Sequence, residues 1–551
     1  MPESKKKVMA IGLDSATFDL LKPWIEQGKL PNLSDLVRRG ASGTLNSTVP
    51  PHTAPAWSSF MTGKNPGKHG VFGFMKLTKD RGHLQLASSK DRKAQDIWEI
   101  LSQHGRKVVV IRVPLTYPTR PVNGILVSGF MTPRGATDYI YPPELKEEIE
   151  SAIGGLGGDS PKSSVRMNLE LAILKDLNST LDKFSEGLPE IIRKYAWDFF
   201  MVVFQGTDEV QHRFWHLLDP SHPRFDKTKA ARYGEAILRY YQRIDQVIGS
   251  MVSNVDREET TVILLSDHGA GPLHKWVSLN NLFWRSGLLK FRLDPLTRVK
   301  VFLFTIGLSP LALYHFILKL QLIRVRSFIR NEENRERFRP LFLSLRDVDW
   351  SRTKAYALGG WGQVYINRNA IETDYEKVRQ TITGLLVGLV DPGSGKQIFR
   401  RENIHFREEI YQGPFLSEAP DMLALPDSPY QGYADYEFGF KAVVMSAGPQ
   451  ISGTHAMNGI FIASGADINE GVTLPPSSIV DAAPTILYLM GVRIPKHMDG
   501  RIMKEAIAES RLSSDPPQYE SDSQVADRST KPYTAVEEED LMRRLRQLGY
   551  L

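Results

Sequence analysis

The sequence contains no cysteine among its 551 residues. Disulfide bonds and thiolate metal sites are therefore excluded, so any metal ion must be held by histidine and carboxylate side chains. The absence of cysteine also suits a reducing compartment, and we expect a cytoplasmic protein. The excess of positive charge is small, with a formal net charge of +6. It predicts no specific binding of nucleic acids.

A signal peptide and a convincing membrane span are also lacking. The N-terminal stretch MPESKKKVMAIGLD has basic residues but no apolar core and no small-residue cleavage site. Residues 301–318 come nearest to a span, because they carry no formal charge and are largely apolar, but Pro310 interrupts them. A helical pair broken at Pro310 is favoured over a span. Peripheral membrane contact through residues 299–328 is the alternative that stays open.

Apolar runs alternate with amphipathic stretches along the first part of the chain. The predicted strands are residues 7–13, 107–113, 125–130, 197–204, 260–265 and 459–463. This alternation is typical of an α/β protein with a mainly parallel central sheet flanked by helices. Polar residues follow several of the strands, which predicts a functional site at their carboxyl ends.

The alternation stops near residue 271 and returns near residue 441. We therefore expect an α/β core formed by residues 1–270 and 441–505, with an inserted α+β cap at 271–440. Residues 506–551 form a polar tail that contains a short terminal helix at 536–548. Within the tail, residues 510–531 are poor in apolar side chains, which predicts disorder.

The candidate nucleophile lies within residues 48–74. Pro55 suits the first position of a helix, residues 56–62 can form about two turns, and Gly63 is a natural stop. Thr53 would stand beside unpaired backbone N–H groups at the positive end of the helix dipole, where a phosphate is stabilised. Taken alone, Thr53 is better explained as an ordinary N-cap. The aspartate and histidine residues found elsewhere favour the nucleophile.

Three carboxylates and three histidines lie at predicted strand ends or loop starts. They are Asp14, Asp208, His212, Asp267, His268 and His455. Asp208 and His212 are four residues apart and share one face of a predicted helix, while Asp267 and His268 are adjacent. Six ligands divide into two metal sites of three, each with open positions for a nucleophile and a substrate.

Two divalent cations about 3.5–4 Å apart can clamp the attacking and the leaving oxygen of a phosphoryl transfer. We expect one cation to activate the Thr53 hydroxyl and the other to stabilise the departing alkoxide. Water then hydrolyses the phospho-threonine. Two divalent cations bring four positive charges against three carboxylates, so an entering phosphate meets an electropositive pocket. A Thr53 alkoxide would complete neutrality.

These residues resemble the alkaline phosphatase superfamily, in its type I phosphodiesterase/nucleotide pyrophosphatase branch and its predicted phosphohydrolase/phosphomutase group. The matching motifs, in the family's order, are Gly12-Leu13-Asp14, Thr53-Ala54-Pro55, Thr62-Gly63, His69-Gly70, Asp208 with Gln211-His212, Ser266-Asp267-His268-Gly269 and Gly453-Thr454-His455. The resemblance implies an alkaline-phosphatase-like fold. Trp57 stands where sulfatases of the superfamily carry an arginine, which argues against sulfatase activity.

The resemblance also implies how the ligands are shared. Asp14, Thr53, Asp267 and His268 would surround one metal ion, and Asp208, His212 and His455 would hold the other. Zinc is the implied metal, with manganese or iron as replacements.

The function predicted from these residues is a two-metal phosphoric ester hydrolase that works through a phospho-threonine. Its substrate would be a small phosphate ester, such as a nucleotide or a lipid-linked compound, and a diester or pyrophosphate rather than a monoester. One alternative is a phosphotransferase or phosphomutase with the same nucleophile. Another is a non-catalytic protein that binds metal or a phosphoryl ligand. The sequence predicts no oligomeric state.

Overall fold

In a computed structural model of the chain, the described residues are 6–78, 84–155, 169–309, 342–371, 374–434, 436–448, 451–521 and 533–548. The strands, numbered along the chain, are β1 Lys7–Leu13, β2 Gly40–Asn46, β3 Met75–Leu77, β4 Leu84–Leu86, β5 Val108–Val113, β6 Gly124–Ser128, β7 Ile140–Tyr141, β8 Phe199–Phe204, β9 Thr260–Leu265, β10 Gly269–Pro272, β11 Lys275–Ser278, β12 Ala355–Ala357, β13 Gln363–Ile366, β14 Ile404–Phe406, β15 Met422–Ala424, β16 Tyr430–Tyr433, β17 Val444–Ser446, β18 Gly453–Ala456, β19 Asn458–Ser464, β20 Val472–Thr473, β21 Ser477–Ser478, β22 Ile494–Pro495 and β23 Tyr519–Glu520.

The α-helices are numbered in the same way. They are α1 Phe18–Glu26, α2 Pro31–Arg38, α3 Thr53–Thr62, α4 Pro66–His69, α5 Ile97–Gln103, α6 Lys146–Ile153, α7 Leu169–Lys194, α8 Gly206–Leu218, α9 Lys227–Tyr233, α10 Ala236–Val252, α11 Leu279–Arg285, α12 Pro295–Thr305, α13 Tyr375–Val387, α14 Arg407–Ile410, α15 Ala482–Leu489, α16 Glu509–Ser514 and α17 Ala535–Leu548.

A 10-stranded sheet runs through the centre of the fold, in the order β20-β2-β19-β9-β1-β8-β5-β6-β7 with β21 paired to β2. Strands β9, β1, β8, β5 and β6 are parallel to one another. Strand β19 runs antiparallel to β9 and β2, and β7 runs antiparallel to β6. The predicted α/β class with a mainly parallel central sheet is confirmed.

Side chains of the central strand β1 alternate between the two faces of this sheet. Met9 and Ile11 belong to one hydrophobic cluster, and Val8 and Ala10 belong to another. Alternation along a strand puts successive side chains on opposite faces, so helices cover both faces. Burial on both faces explains why the strand reads as a continuous apolar run.

Helix α3 is held close to the end of β1 by one large side chain. Trp57 is fully buried, and a Cβ atom added to Gly12 would lie 2.5 Å from its ring. Any larger residue at position 12 would therefore push α3 away from β1. The close approach places the first turn of α3 beside Asp14, the residue that follows β1.

Residues 277 to 438 contribute a hydrophobic cluster of their own, which includes Phe283, Ile382 and Met422. Its strands form one sheet in the order β12-β13-β15-β14 and another in the order β16-β11-β17. These strands and helix α13 lie within the region expected to form the α+β cap. The boundaries of the cap at 271 and 440 stay a prediction, as do those of the core and the tail.

Two expectations from the sequence need correction. The sequence pattern over 229–255 predicts a single helix, but the structure divides this stretch into α9 and α10. Gly234, a poor helix former, lies at the junction, where an added Cβ atom would lie 3.1 Å from the carbonyl oxygen of Leu217. Disorder over 510–531 is wrong for α16 and β23, since β23 pairs with β22 and the Tyr488 hydroxyl donates to the carbonyls of Arg511 and Asp515. Residues 522–532 lie outside the described part.

Strand β2 was not predicted from the sequence, because it contains no apolar run. It reads GASGTLN but pairs with β19 along its whole length. A Cβ atom on Gly40 would lie 2.0 Å from the carbonyl oxygen of Ala463. The strand therefore depends on a close approach of two backbones, which a search for hydrophobic periodicity does not detect.

The apolar stretch near residue 301 begins as helix α12, Pro295–Thr305. Residues 310–341 lie outside the described part, so the predicted break at Pro310 and the second half of the helical pair are not observed. Among the described residues, no helix is both long enough and apolar enough to cross a bilayer. The cytoplasmic location stays a prediction.

Candidate metal centre

The three candidate aspartates follow three adjacent parallel strands. Asp14 comes directly after β1, Asp208 lies in the first turn of α8 after β8, and Asp267 follows β9. Strand β1 pairs with β8 on one side and with β9 on the other. The carboxyl ends of the three strands therefore meet at one edge of the sheet, which is where ligand sites of open α/β sheets lie.

The six candidate ligands form two groups of three. Asp208, His212 and His455 make up the His212 cluster, and Asp14, Asp267 and His268 make up the His268 cluster. Within each cluster, the possible ligand atoms all lie within 4.8 Å of one another. All six residues are buried. The His268 and His455 rings stack with their centroids 3.6 Å apart, so the two clusters are neighbours.

Backbone carbonyls fix the orientation of all three histidines. The Nδ1 atoms lie 2.7 Å from the Gly453 oxygen for His212, 3.0 Å from the Gly269 oxygen for His268 and 2.9 Å from the Pro51 oxygen for His455. A carbonyl oxygen only accepts, so each Nδ1 carries the proton and donates it. In the neutral ring, Nε2 then has a lone pair directed into the cluster, as metal-binding histidines require.

The Nε2 atoms of His212 and His455 lie only 3.1 Å apart. In their neutral forms, with Nδ1 protonated, these two atoms would face each other with lone pairs, which repel. Asp208 Oδ1 lies 3.2 Å from one and 3.4 Å from the other. A cation among these three atoms removes the repulsion. These nitrogen and oxygen donors fit a divalent metal ion. In the metal-free protein, a proton on His212 Nε2 would remove the same repulsion.

The carboxylates of the His268 cluster are each anchored through one oxygen and present the other. Asp14 Oδ2 accepts from the indole N–H of Trp57 at 3.2 Å, and Asp267 Oδ1 accepts from the backbone N–H of Ser15 at 3.2 Å. Asp14 Oδ1 and Asp267 Oδ2 are buried and accept no hydrogen bond in the part of the chain that the structure describes. Buried carboxylate oxygens without donors are costly unless a cation binds them.

Burial and mutual repulsion act strongly on the carboxylates. Burial and the nearby charges of Asp267 and Asp208 raise the pKa of Asp14 well above its ordinary value. Burial raises the pKa of Asp267 to about 8. Burial would also raise the pKa of Asp208, but His212 and His455 hold it well below its ordinary value. In the His268 cluster the metal-free protein therefore retains protons that a divalent cation would displace.

The raised pKa of Asp267 makes a contribution to the stability of the metal-free protein that depends on pH. Folded Asp267 keeps its proton up to a pKa of about 8, whereas an unfolded aspartate loses it above about pH 4. Between these values the folded state binds more protons, so its stability falls with increasing pH. We expect the melting temperature of the chelated wild type to fall between about pH 5 and about pH 8 relative to that of an Asp267→Asn variant, and zinc to stabilise the wild type more at the higher pH.

Differential scanning calorimetry at both pH values, with and without zinc, measures this effect. An Asp267→Asn variant provides the control, since its side chain does not titrate, and its chelated form should show a smaller dependence on pH. A chelated wild-type protein whose melting temperature falls with pH no more than that of Asp267→Asn would contradict the pKa assigned to Asp267.

Thr53 lies beside the His268 cluster. Its side chain is fully buried, and Oγ1 lies 3.2 Å from His268 Nε2. The helix begins at Thr53 itself, and His52 is the N-cap. The helix was expected to begin at Pro55 with Thr53 before it, so its start is corrected by two residues. Gly63 ends the helix in the left-handed conformation, with φ 64°, as expected.

Two aromatic residues near the site escaped the sequence prediction. Trp361, between β12 and β13, stacks on the His455 ring with centroids 4.1 Å apart. His52 packs against Trp361 and Phe74, and burial holds its pKa well below the ordinary value. Trp361 lies in no recognisable motif, and its position depends on how the inserted region packs on the core.

Comparison with solved structures defines the class of fold. Human ectonucleotide pyrophosphatase/phosphodiesterase 5 aligns over 93% of this chain and 99% of its own, with a TM-score of 0.50 and 12% sequence identity. The fold is therefore an alkaline-phosphatase-like α/β fold, as predicted. A search of curated proteins found no match.

A sequence model of the family described as type I phosphodiesterase / nucleotide pyrophosphatase matches residues 8–455. The match spans most of the chain, from β1 to His455. The chain belongs to this family. The predicted family membership is confirmed, and with it the general activity, hydrolysis of phosphate esters.

Proposed function

We propose that the protein is a two-metal phosphodiesterase or nucleotide pyrophosphatase that acts through a phosphorylated Thr53. One observation carries the proposal: the Thr53 hydroxyl lies 3.2 Å from His268 Nε2, at the first residue of a helix and beside two three-residue groups of buried metal-type ligands. An ordinary structural threonine has no need of such neighbours.

Each cluster would hold one divalent cation. Asp14, Asp267 and His268, with Thr53, would bind the first, and Asp208, His212 and His455 the second. Histidine nitrogen and carboxylate oxygen are donors that zinc accepts readily, and manganese or iron are compatible replacements. When bound, the two cations supply the positive charge that favours an ionised nucleophile and an ionised leaving oxygen.

The residues of the chain position the reaction. Thr53 Oγ1, at the N-terminus of α3, is placed to form a bond to phosphorus, while the bond from phosphorus to the leaving oxygen breaks and that oxygen keeps the electron pair. The Nε2 atom of His268 faces Oγ1 and, with Nδ1 bonded to the Gly269 carbonyl, has no proton of its own to obstruct the attack. Water then cleaves the phospho-threonine and restores the hydroxyl.

The inserted region would choose the substrate. Trp361 reaches the site from this region and stacks on His455, and its buried indole N–H meets no acceptor among the described residues. It can donate a hydrogen bond to an oxygen of the substrate. Because the inserted region lines one side of the site and the core lines the other, the site suits a substrate with a group on each side of the phosphorus. We therefore favour a diester or pyrophosphate, such as a nucleotide or a lipid-linked compound.

A panel of phosphate monoesters, diesters and pyrophosphates tests this function. We expect chelated protein to be inactive, zinc or manganese to restore turnover, and bis-p-nitrophenyl phosphate to be cleaved faster than p-nitrophenyl phosphate. Turnover should be lost when the metal is removed and should return when it is added back, because both clusters must be filled.

Other results would each contradict part of this proposal. Undiminished turnover after chelation would exclude metal dependence, and faster cleavage of monoesters would exclude the diester preference. Transfer of the phosphoryl group to an added alcohol in place of water would indicate a phosphotransferase. Retained metal without turnover of any ester would indicate a binding protein.

A further inference from the structure

Large apolar side chains are exposed along one short part of the chain. Leu293, Leu296, Val299, Phe302, Ile306 and Leu308 are each more than half exposed, and we call them the 293–308 surface. They are six of the ten large hydrophobic side chains that are exposed among the described residues. Single exposed apolar residues are common, but a concentration of this kind marks an interaction site.

The helical repeat places these side chains together. Leu296, Val299, Phe302 and Ile306 follow one another at spacings of three or four residues along α12, so they occupy about a third of the helix circumference. Phe302 is 61% exposed and Leu296 is 63% exposed. The packing of the described residues does not explain why this helix has apolar residues on its solvent face.

The opposite face of α12 is firmly attached to the protein. Thr297, Lys300 and Phe304 are buried, and Lys300 Nζ lies 2.9 Å from Asp347 Oδ1. The Asp294 side chain caps the helix by accepting from the backbone N–H of Thr297. Because this face is anchored, the exposed face has a fixed orientation toward the surroundings, and turning the helix would break the buried ion pair.

The exposed charges beside α12 are mostly basic. Arg292, Arg298 and Lys441 are exposed, and Lys441 Nζ lies 3.2 Å from the carbonyl oxygen of Thr305 at the end of the helix. Asp294, which caps the start of the helix, is the acidic residue on this side. An apolar face combined with basic residues is the composition of helices that lie in the interface of a membrane with anionic lipids.

We propose that the 293–308 surface docks on a lipid bilayer that contains anionic headgroups, with α12 lying parallel to the membrane plane. The apolar side chains enter the boundary between headgroups and acyl chains, while Arg298 stays at the level of the phosphates. The surface covers the beginning of the region, 299–328, for which the sequence left membrane contact open. Residues 310–328 lie outside the described part, so the docking surface is defined without them.

Membrane docking at this surface is independent of the chemistry at the metal centre, because the two sets of residues do not overlap. It is tested with the full-length protein in a flotation assay. The vesicles are phosphatidylcholine alone or phosphatidylcholine mixed with phosphatidylserine. We expect the protein to float with the mixed vesicles, to float less with the neutral vesicles, and to be released partly by salt.

A triple variant, Leu296→Gln, Val299→Thr and Phe302→Gln, removes the apolar contacts from exposed positions. We expect its ratio of bound to free protein to fall at least about tenfold on mixed vesicles, with unchanged turnover of a soluble ester. The matched control carries Leu171→Gln, Val390→Thr and Val536→Thr, which are exposed apolar residues elsewhere, and should bind like the wild type.

Three results would overturn the proposal. Absence of the wild-type protein from the floating fraction with both kinds of vesicle would exclude lipid as the partner. The triple variant could float as well as the wild type, which would assign binding to another part of the chain. Dimerisation of the wild type without lipid, lost in the triple variant, would show that a second copy covers this surface.

Discussion

Replacing Thr53 with alanine is expected to lower the turnover of bis-p-nitrophenyl phosphate by about a thousandfold or more. The alanine side chain has no oxygen that could bond to phosphorus, so the covalent route is closed. The six candidate ligands of the two clusters remain in place, and the small alanine fits the buried position that Thr53 occupies. The variant should therefore keep close to its full metal content while losing its activity.

Two further variants make this result specific. Thr53→Ser keeps a hydroxyl and should retain a much larger share of the activity. Thr62→Ala removes a buried threonine from the other end of the same helix and should retain activity close to that of the wild type. Metal analysis and turnover are measured on all of these proteins. Equal turnover by Thr53→Ala and the wild type would remove Thr53 from the mechanism.

Replacing Asp208 with asparagine is expected to remove one of two metal ions and to lower turnover by at least about a hundredfold. Asp208 Oδ1 lies 3.2 Å from His212 Nε2 and 3.4 Å from His455 Nε2, so it contributes the negative charge of the His212 cluster. Asparagine has the same shape but no charge. The His268 cluster has its own two carboxylates and should keep its ion.

Metal content by mass spectrometry, measured after dialysis against zinc, checks this prediction. We expect about two ions per chain in the wild type and about one in Asp208→Asn. Glu190→Gln provides the control, because it neutralises an exposed carboxylate on α7 that belongs to neither cluster, and it should bind as many ions as the wild type does. An Asp208→Asn variant that holds as many ions as the wild type would show that the His212 cluster binds a proton and no metal.

The parts of this fold that the sequence predicted share a physical cause. The strands 7–13 and 260–265 were recognised because a buried parallel strand is apolar on both faces, and the structure has β1 and β9 with the same bounds. Asp14 and Asp267 were placed at the ends of these strands by adjacency in the sequence alone. Parallel neighbours must bring such residues to one edge, so the proximity of the candidate ligands followed from the order of elements.

What the sequence did not reveal depends on contacts between distant segments. Trp361 contacts His455 only because the inserted region packs on the core. Hydrophobic periodicity in the sequence does not predict this packing. The pairing of β2 with β19 depends on glycines that let two backbones approach. The hydrogen bonds from Nδ1 of the three histidines to backbone carbonyls, which direct Nε2 into the site, are likewise invisible without coordinates.

Anomalous X-ray diffraction at the zinc absorption edge, from crystals grown with zinc, tests the central claim most directly. We predict two strong peaks about 3.5–4 Å apart, one among Asp14, Asp267 and His268 and the other among Asp208, His212 and His455, with Thr53 Oγ1 beside the first. A map with no peak at either cluster, at a zinc concentration that supports turnover, would contradict the account.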